Sequence, residues 1–224
     1  MDSPSCYLRG VTQRNLTIAD RCIEQLDQAL RTLFGRPLGS GRTNPAQTVT
    51  SDALTATEKA ESICLMRVNH AGEVCAQALY QGQAMTARRG QVREQMQKAA
   101  MEENDHLLWC RQRLDELGGQ TSLLNPLWYT SSVLIGAATG LLGDKWSLGF
   151  LAETEHQVVK HLQSHLERLP ESDRRSGAIL EQMKEDEARH KEGALQSGGS
   201  TLPGPAKKLM KLMSRVMTLT AYRV

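Results

Sequence analysis

The sequence has few aromatic residues and no regular cysteine pattern. Phe, Trp and Tyr make up 4% of its 224 residues, too few for a base-stacking platform or for a barrel with aromatic girdles. The five cysteines are unevenly spaced and form no Cys-x-x-Cys pair. This excludes a disulfide framework and a zinc ribbon, and it predicts reduced thiols. Because the net charge is only +2, we expect no nucleic-acid partner.

Period-2 alternation is almost absent, so the sequence predicts an all-α fold. We expect residues 1–56 to hold a short helix (17–34) and a Gly/Pro/Ser/Thr-rich linker. Thr55, followed three residues later by Glu58, predicts a capping box that opens a second domain over 57–224. Six helices are predicted there: 57–88, 91–117, 123–142, 145–169, 173–196 and a basic amphipathic helix over 206–220.

Short breaks separate two pairs of these helices. Arg88-Arg89-Gly90 and Pro170-Glu171-Ser172 are each too short for anything but a turn, so each pair should form an antiparallel hairpin. The segment 118–143 is long enough to cross from one hairpin to the other. The predicted architecture is a ferritin-like four-helix bundle with a long helical crossover and a membrane-facing C-terminal helix.

Residues 117–143 carry no charge, which leaves three interpretations of the crossover. Polar residues and glycines dilute the run and argue against a simple transmembrane span. An interfacial helix is favoured by segment 206–220, where lysines and an arginine flank an apolar side. The third interpretation is a cap on the bundle. Gly136 and Gly140 are spaced for a close helix contact.

The pattern Glu-x-x-His occurs three times, where chance predicts fewer than one occurrence. On a helix, residues i and i+3 share a face, so the carboxylate and the imidazole can reach one metal ion. The pairs are Glu103/His106, Glu153/His156 and Glu187/His190.

The register of the glutamates is more specific than the pattern itself. Glu73 and Glu103 are equidistant from the first turn, and Glu155 and Glu187 are equidistant from the second. All four should lie about 22–24 Å from their turns. Each hairpin then presents a lone Glu opposite a Glu-x-x-His, as in di-iron and di-manganese carboxylate bundles. The predicted metal ligands are Glu73, Glu103, His106, Glu155, Glu187 and His190.

The apolar stripe of helix 145–169 favours Glu155 over Glu153, which falls on the polar face. For the six predicted ligand positions together, the alternative to a metal site is a set of buried ion pairs without metal. Oxygen-rich ligands with one imidazole per metal suit Fe(II) or Mn.

His70 is a candidate ligand or a hydrogen-bond partner of one, and Asn69 and Asp186 are further candidate partners.

At these residues the chain resembles the 5-demethoxyubiquinone hydroxylases. The resemblance runs from about residue 60 to the C-terminus and includes Asn69-His70-Ala71-Gly72-Glu73, Glu103-Asn104-Asp105-His106 and Asp186-Glu187-Ala188-Arg189-His190. It implies a peripheral membrane monooxygenase that hydroxylates the ring of a polyprenylated quinone precursor, with two Fe ions per chain and dioxygen as co-substrate. One iron would use Glu73, Glu103 and His106, and the other Glu155, Glu187 and His190. His161 matches a family histidine near the quinone or the reductant.

The source of electrons is left open, because the sequence has no nucleotide-binding fingerprint. NADH acting directly, the quinol substrate or a partner protein could supply them. The resemblance further implies the cytoplasmic side of the bacterial inner membrane, and it leaves a homo-oligomer and contacts with other ubiquinone biosynthesis proteins open. Two other functions remain: a ferritin-like iron oxidase or storage protein, and a non-enzymatic lipid-binding scaffold. Ligands alone do not choose among them.

Overall fold

A computed structural model describes residues 17–50 and 53–224. These residues form seven α-helices, a short 3-10 helix at Pro45–Thr48 and no β-strand, which confirms the all-α prediction. The α-helices are α1 (Ile18–Phe34), α2 (Ala56–Thr86), α3 (Gly90–Leu117), α4 (Asn125–Leu141), α5 (Asp144–Leu166), α6 (Arg174–Gln196) and α7 (Gly204–Ala221). Every predicted helix is matched to within three residues at either end. The division of the chain into two domains at residue 56 stays a prediction.

Local hydrogen bonds explain where the bundle helices begin and end. The Thr55 hydroxyl accepts from the Glu58 amide, and the Glu58 carboxylate accepts from the Thr55 amide at 2.8 Å, which confirms the predicted capping box. Helix α3 ends at Gly118, whose φ of 66° is left-handed. In the turn between α2 and α3, the amides of Arg88 and Arg89 donate to the Asp144 carboxylate at 2.9 Å each. Asp144 thereby ties the first hairpin to the start of the second.

The predicted hairpins are present, with α2 packed on α3 and α5 packed on α6. Buried apolar side chains of these four helices form two layers, separated by the level of the predicted ligands. One layer contains Met66, Trp109, Cys110, Leu114, Leu117, Leu162, Ile179, Leu180 and Met183. The other contains Tyr80, Val92, Met96, Ala99, Leu148, Leu151 and Ala194. Polar side chains between the layers are therefore removed from water on both sides.

The crossover helix α4 packs closely against α2 through glycines. A Cβ atom at Gly136 would meet the backbone oxygen of Leu79, and one at Gly82 would meet the backbone oxygen of Val133. At Gly140 it would meet the Thr86 side chain. The predicted close contact at Gly136 and Gly140 is thus confirmed, because only glycine lets the two backbones approach this far.

Apolar side chains remain exposed on α4 and α7. Leu134 and Leu141 of α4 are both 66% exposed, and Leu212 of α7 is 59% exposed. Among the helices of the described ranges, none has both the length and the apolar character needed to cross a bilayer.

The structure describes three of the five predicted reduced thiols. Cys64, Cys75 and Cys110 are free. Cys6 lies outside the described residues, as does the side chain of Cys22.

Replacing Gly136 by Ala is expected to lower the free energy of unfolding by about 1–3 kcal/mol, because the new methyl group forces α2 and α4 apart. The matched control is Gly177→Ala, since a Cβ atom there meets nothing within 4 Å and a helical Ala gains about 0.5–1 kcal/mol over Gly. Urea unfolding measures both. A Gly136→Ala variant as stable as the wild type would contradict the close packing.

Candidate metal centre

Four helices bring the six predicted ligands to one level of the bundle. Glu73 lies on α2, Glu103 and His106 on α3, Glu155 on α5, and Glu187 and His190 on α6. The four glutamates are at most 3% exposed and His106 is fully buried. The His190 side chain is 9% exposed. Equal spacing from the two turns therefore does place these side chains together.

The first half of the cluster is centred on His106. Its Nδ1 atom lies 3.1 Å from Glu103 Oε2, 3.2 Å from Glu187 Oε1 and 3.6 Å from Glu73 Oε2. One ligand atom from each of these four residues lies within 4.8 Å of the others. This spacing could hold a metal ion.

The second half is centred on His190. Its Nδ1 atom lies 3.1 Å from Glu187 Oε2 and 3.2 Å from Glu103 Oε1. Glu103 and Glu187 therefore each present one oxygen to each imidazole. Glu155 lies near enough to this half to interact electrostatically with Glu187 and His190, and its Oε1 accepts a hydrogen bond of 2.8 Å from the Tyr80 hydroxyl.

One oxygen of each buried glutamate has no hydrogen-bond partner. The four atoms are Glu73 Oε2, Glu103 Oε1, Glu155 Oε2 and Glu187 Oε1. Three of them lie at ion-pair distance from an imidazole without a hydrogen bond: Glu103 Oε1 from His190, and Glu187 Oε1 and Glu73 Oε2 from His106. A buried carboxylate oxygen without a donor is unfavourable unless a cation balances it. These orphaned oxygens fit a carboxylate-rich metal site.

The cluster strongly perturbs the proton affinity of its members. Burial raises the pKa of Glu73, and burial with the charges of Glu187 and Glu103 raises the pKa of Glu155. Burial acts the same way at Glu103, but hydrogen bonds from His106 and His190 outweigh it and lower that pKa. Burial alone would lower the pKa of His190, but hydrogen bonds to Glu103 and Glu187 raise it to about 12. The pKa of His106 is raised too, because its hydrogen bond to Asp186 and those to the glutamates outweigh burial. Both imidazoles therefore favour the protonated form, and metal binding has to release protons.

An acid from the opposite hairpin holds the other nitrogen of each imidazole. Asp186 Oδ2 lies 2.9 Å from His106 Nε2, and Glu102 Oε2 lies 3.0 Å from His190 Nε2. These contacts turn both Nδ1 atoms toward the glutamates. Asp186 was a sequence candidate for this role, whereas Glu102 was missed. Its signal was its position directly before Glu103, as Asp186 directly precedes Glu187.

The structure places the candidate histidine His161 beside His165. The His161 ring lies 3.9 Å from the His165 ring, and His165 Nδ1 lies 2.8 Å from Asn69 Oδ1. Asn69 thus partners a histidine outside the predicted ligand set. Burial and the charge of Arg168 lower the pKa of His161 to about 4, so it is neutral at pH 7. Its role near the quinone or the reductant stays a prediction.

His70 and the Glu153/His156 pair make contacts outside the cluster. His70 lines a cavity of about 30 Å³ together with Thr32 of α1 and Arg111 of α3, and its Nδ1 has no hydrogen-bond partner. Glu153 pairs with Lys207 at 2.9 Å, and His156 contacts Lys191. Glu155 is therefore the buried glutamate of this helix and Glu153 is the one paired with lysine, while the choice of Glu155 as a metal ligand stays a prediction.

A cleft of about 170 Å³ reaches His190 from outside. Its wall comes from α2, α3, α5 and α6 and includes Tyr80, Lys98, Glu102 and Arg189. It gives a small molecule a path to the cluster between charged side chains.

The fold and the site define an all-helical bundle protein with a buried glutamate and histidine cluster that could hold metal. Comparison with known sequences is consistent with that class. A model of the family described as ubiquinone biosynthesis protein COQ7 matches residues 60–221. The chain belongs to this family.

Curated relatives resemble the chain over nearly its whole length. A 3-demethoxyubiquinol 3-hydroxylase of Nitrosococcus oceani is 58% identical over 93% of this chain and 98% of that protein. A protein of the same name from Chromobacterium violaceum is 56% identical over 92% and 99%. Another from Alcanivorax borkumensis is 51% identical over 96% and 100%.

Replacing Glu155 by Gln is expected to stabilise the metal-free protein by about 1–2 kcal/mol at pH 7. The variant loses one buried charge, and its amide oxygen still accepts from Tyr80. The folded-state pKa of Glu155 lies above the ordinary value of 4.5, so wild-type stability falls as the pH rises above 4.5. The advantage of the variant should grow over the same range in urea unfolding with a chelator.

Glu153→Gln is the matched control, because Glu153 is paired with Lys207 and its removal gains nothing. A Glu155→Gln variant no more stable than the wild type at pH 7 would contradict the conclusion that negative charge is crowded around Glu155.

Proposed function

We propose that this chain is a di-iron monooxygenase that hydroxylates the ring of a polyprenylated demethoxyquinol in ubiquinone biosynthesis. The observation that carries the proposal is the convergence of four buried glutamates with orphaned oxygens around two oriented imidazoles. It is supported by relatives at 51–58% identity that are named 3-demethoxyubiquinol 3-hydroxylase.

The six ligands divide into two sets. Glu73, Glu103 and His106 would hold one iron, and Glu155, Glu187 and His190 the other. Glu103 and Glu187 could each serve both irons, since each presents one oxygen to each imidazole. Carboxylates with one imidazole per metal suit Fe(II). The chemistry that iron supplies when bound is reduction of dioxygen, with one oxygen atom passing to the ring and the other to water.

The protein's own groups prepare the site for this reaction. Asp186 and Glu102 fix the two imidazoles, and Tyr80 holds Glu155. The apolar layers above and below exclude water, which strengthens every charge interaction between them. The cleft beside His190 would be the route for dioxygen. NADH is the proposed reductant, acting directly or through the quinol.

Replacing Glu187 by Ala is expected to remove a ligand shared by both irons and to lower hydroxylase activity by at least about 100-fold. Cells that depend on the variant should accumulate the demethoxyquinone precursor. Elemental analysis should find about two irons per wild-type chain and fewer in the variant, with helicity retained by circular dichroism.

The matched control is Glu185→Ala, since Glu185 is an exposed glutamate two residues away on the same helix. Normal quinone levels with Glu187→Ala would end the proposal. A large soluble iron-filled shell would favour a storage protein instead, and wild-type protein without metal would favour a lipid-binding scaffold.

A polyprenylated substrate resides in a bilayer, so we also propose that the protein binds the cytoplasmic face of the bacterial inner membrane. Helix α7 supports this with Leu209, Leu212 and Val216 about half exposed. Lys208, Lys211 and Arg215 are exposed on the same helix. An amphipathic helix of this kind lies in the interface between lipid and water.

The double variant Leu212→Glu/Val216→Glu is expected to lose flotation with vesicles of phosphatidylglycerol and phosphatidylethanolamine, because it puts charge on the apolar side of α7. Leu195→Glu serves as the control, since Leu195 is 44% exposed on α6. Equal flotation of the double variant and the wild type would rule out α7 as the contact.

A further inference from the structure

The predicted linker is fastened to the bundle, and residues 38–44 form what we call the N-terminal strap. Three side chains of α3 bind it. Asn104 donates to the Leu38 carbonyl at 2.9 Å, and Asp105 accepts from the Ser40 amide and hydroxyl at 2.8 and 2.5 Å. Asn44 donates to Gln112 at 2.8 Å. The strap therefore follows a fixed path along α3, next to the helical turn that carries His106.

The strap also lies unusually close to α3. A Cβ atom at Gly39 would collide with the Asp105 carboxylate and lie 3.1 Å from Leu108 Cδ1. A side chain at this position would have to push aside the Asp105 carboxylate that holds Ser40. The close approach sets the position of the residues that follow, including Arg42.

Arg42 reaches His106 by two routes. Its guanidinium donates to Asp186 Oδ2 at 2.6 Å, and the same oxygen lies 2.9 Å from His106 Nε2. The guanidinium also lies 5.0 Å above the centre of the Trp109 ring, which is 5.4 Å from the His106 ring. Asp186 is fully buried, whereas the Arg42 side chain is 31% exposed. Arg42 thus closes the cluster from the solvent side.

We propose that Arg42 is a positioning residue for the first metal site, and that it acts through Asp186 on the orientation of His106. This rests on the proposed function, because it treats His106 as a metal ligand. An outer partner that fixes a ligating imidazole raises metal affinity about 10–100-fold. The effect on metal affinity should be confined to the half of the cluster that is centred on His106. His190 is held by Glu102 instead. Arg189 lies 3.8 Å from Glu102 and also donates to Asp186, but to Oδ1, so Arg42 is the arginine on the Asp186 oxygen that contacts His106.

The test is anaerobic titration of the metal-free protein with Co²⁺, followed by visible absorption. Wild-type protein is expected to take up two Co²⁺ ions per chain. In Arg42→Gln, one of the two should bind about tenfold or more weakly and the other with unchanged affinity, because only His106 loses its support. Arg42→Lys should restore most of the affinity, since the ammonium group can still reach Asp186.

Arg175→Gln is the matched control. Arg175 is 23% exposed and donates to Glu116 of α3 at 2.7 Å, so its removal also breaks an ion pair between the surfaces of α3 and α6. Both Co²⁺ affinities should stay at the wild-type level.

Two results would overturn the inference alone: wild-type affinities in Arg42→Gln, or equal weakening of both ions in Arg42→Gln and in the control. Wild-type protein that takes up no Co²⁺ would overturn the proposed function as well.

Discussion

The concentration of negative charge in the centre of the bundle is the constraint on which the structure depends. Four glutamates and two histidines lie between apolar layers, and one oxygen of each glutamate lacks a donor. Such a group is stable only if positive charge is placed among the oxygens, on protonated imidazoles or on metal. The raised pKa of His190 shows how strongly the site attracts positive charge.

The rest of the molecule supports this centre. Asp144 joins the two hairpins by accepting from the amides of Arg88 and Arg89. Helix α4 lies against the back of α2 through Gly82 and Gly136, so the crossover widens the bundle without entering it. The cleft beside His190 is lined by α2, α3, α5 and α6, whereas α4 and α7 carry exposed leucines and do not line it. The proposed reaction, between a lipid-soluble substrate and water-soluble reactants, would use both kinds of surface.

Much of this arrangement could be predicted from sequence because helices are regular. A fixed rise per residue converts equal spacing from a turn into equal height, which is why Glu73, Glu103, Glu155 and Glu187 meet. Helical phase separated Glu155 from Glu153 for the same reason. Contacts between segments far apart in sequence have no such rule. Arg42 and Asp186 are 144 residues apart, and periodicity does not reveal that pairing.

Side-chain direction was also beyond the reach of sequence patterns. His70 lies one turn before Glu73 and was expected to serve the metal site, but its ring lines a cavity together with Thr32 of α1 and Arg111 of α3. Glu102 stands directly before Glu103 as Asp186 stands directly before Glu187, yet only Asp186 was predicted to hold an imidazole. The contact of Glu102 with His190 depends on the packing of α3 against α6.

The two acids behind the imidazoles also interlock the hairpins. His106 of the first hairpin is held by Asp186 of the second, and His190 of the second is held by Glu102 of the first. A slip of one residue along either helix would swing its side chains about 100° around the axis and break both pairings together. The centre can therefore form only after docking in the correct register, and an occupied centre reports that assembly is complete.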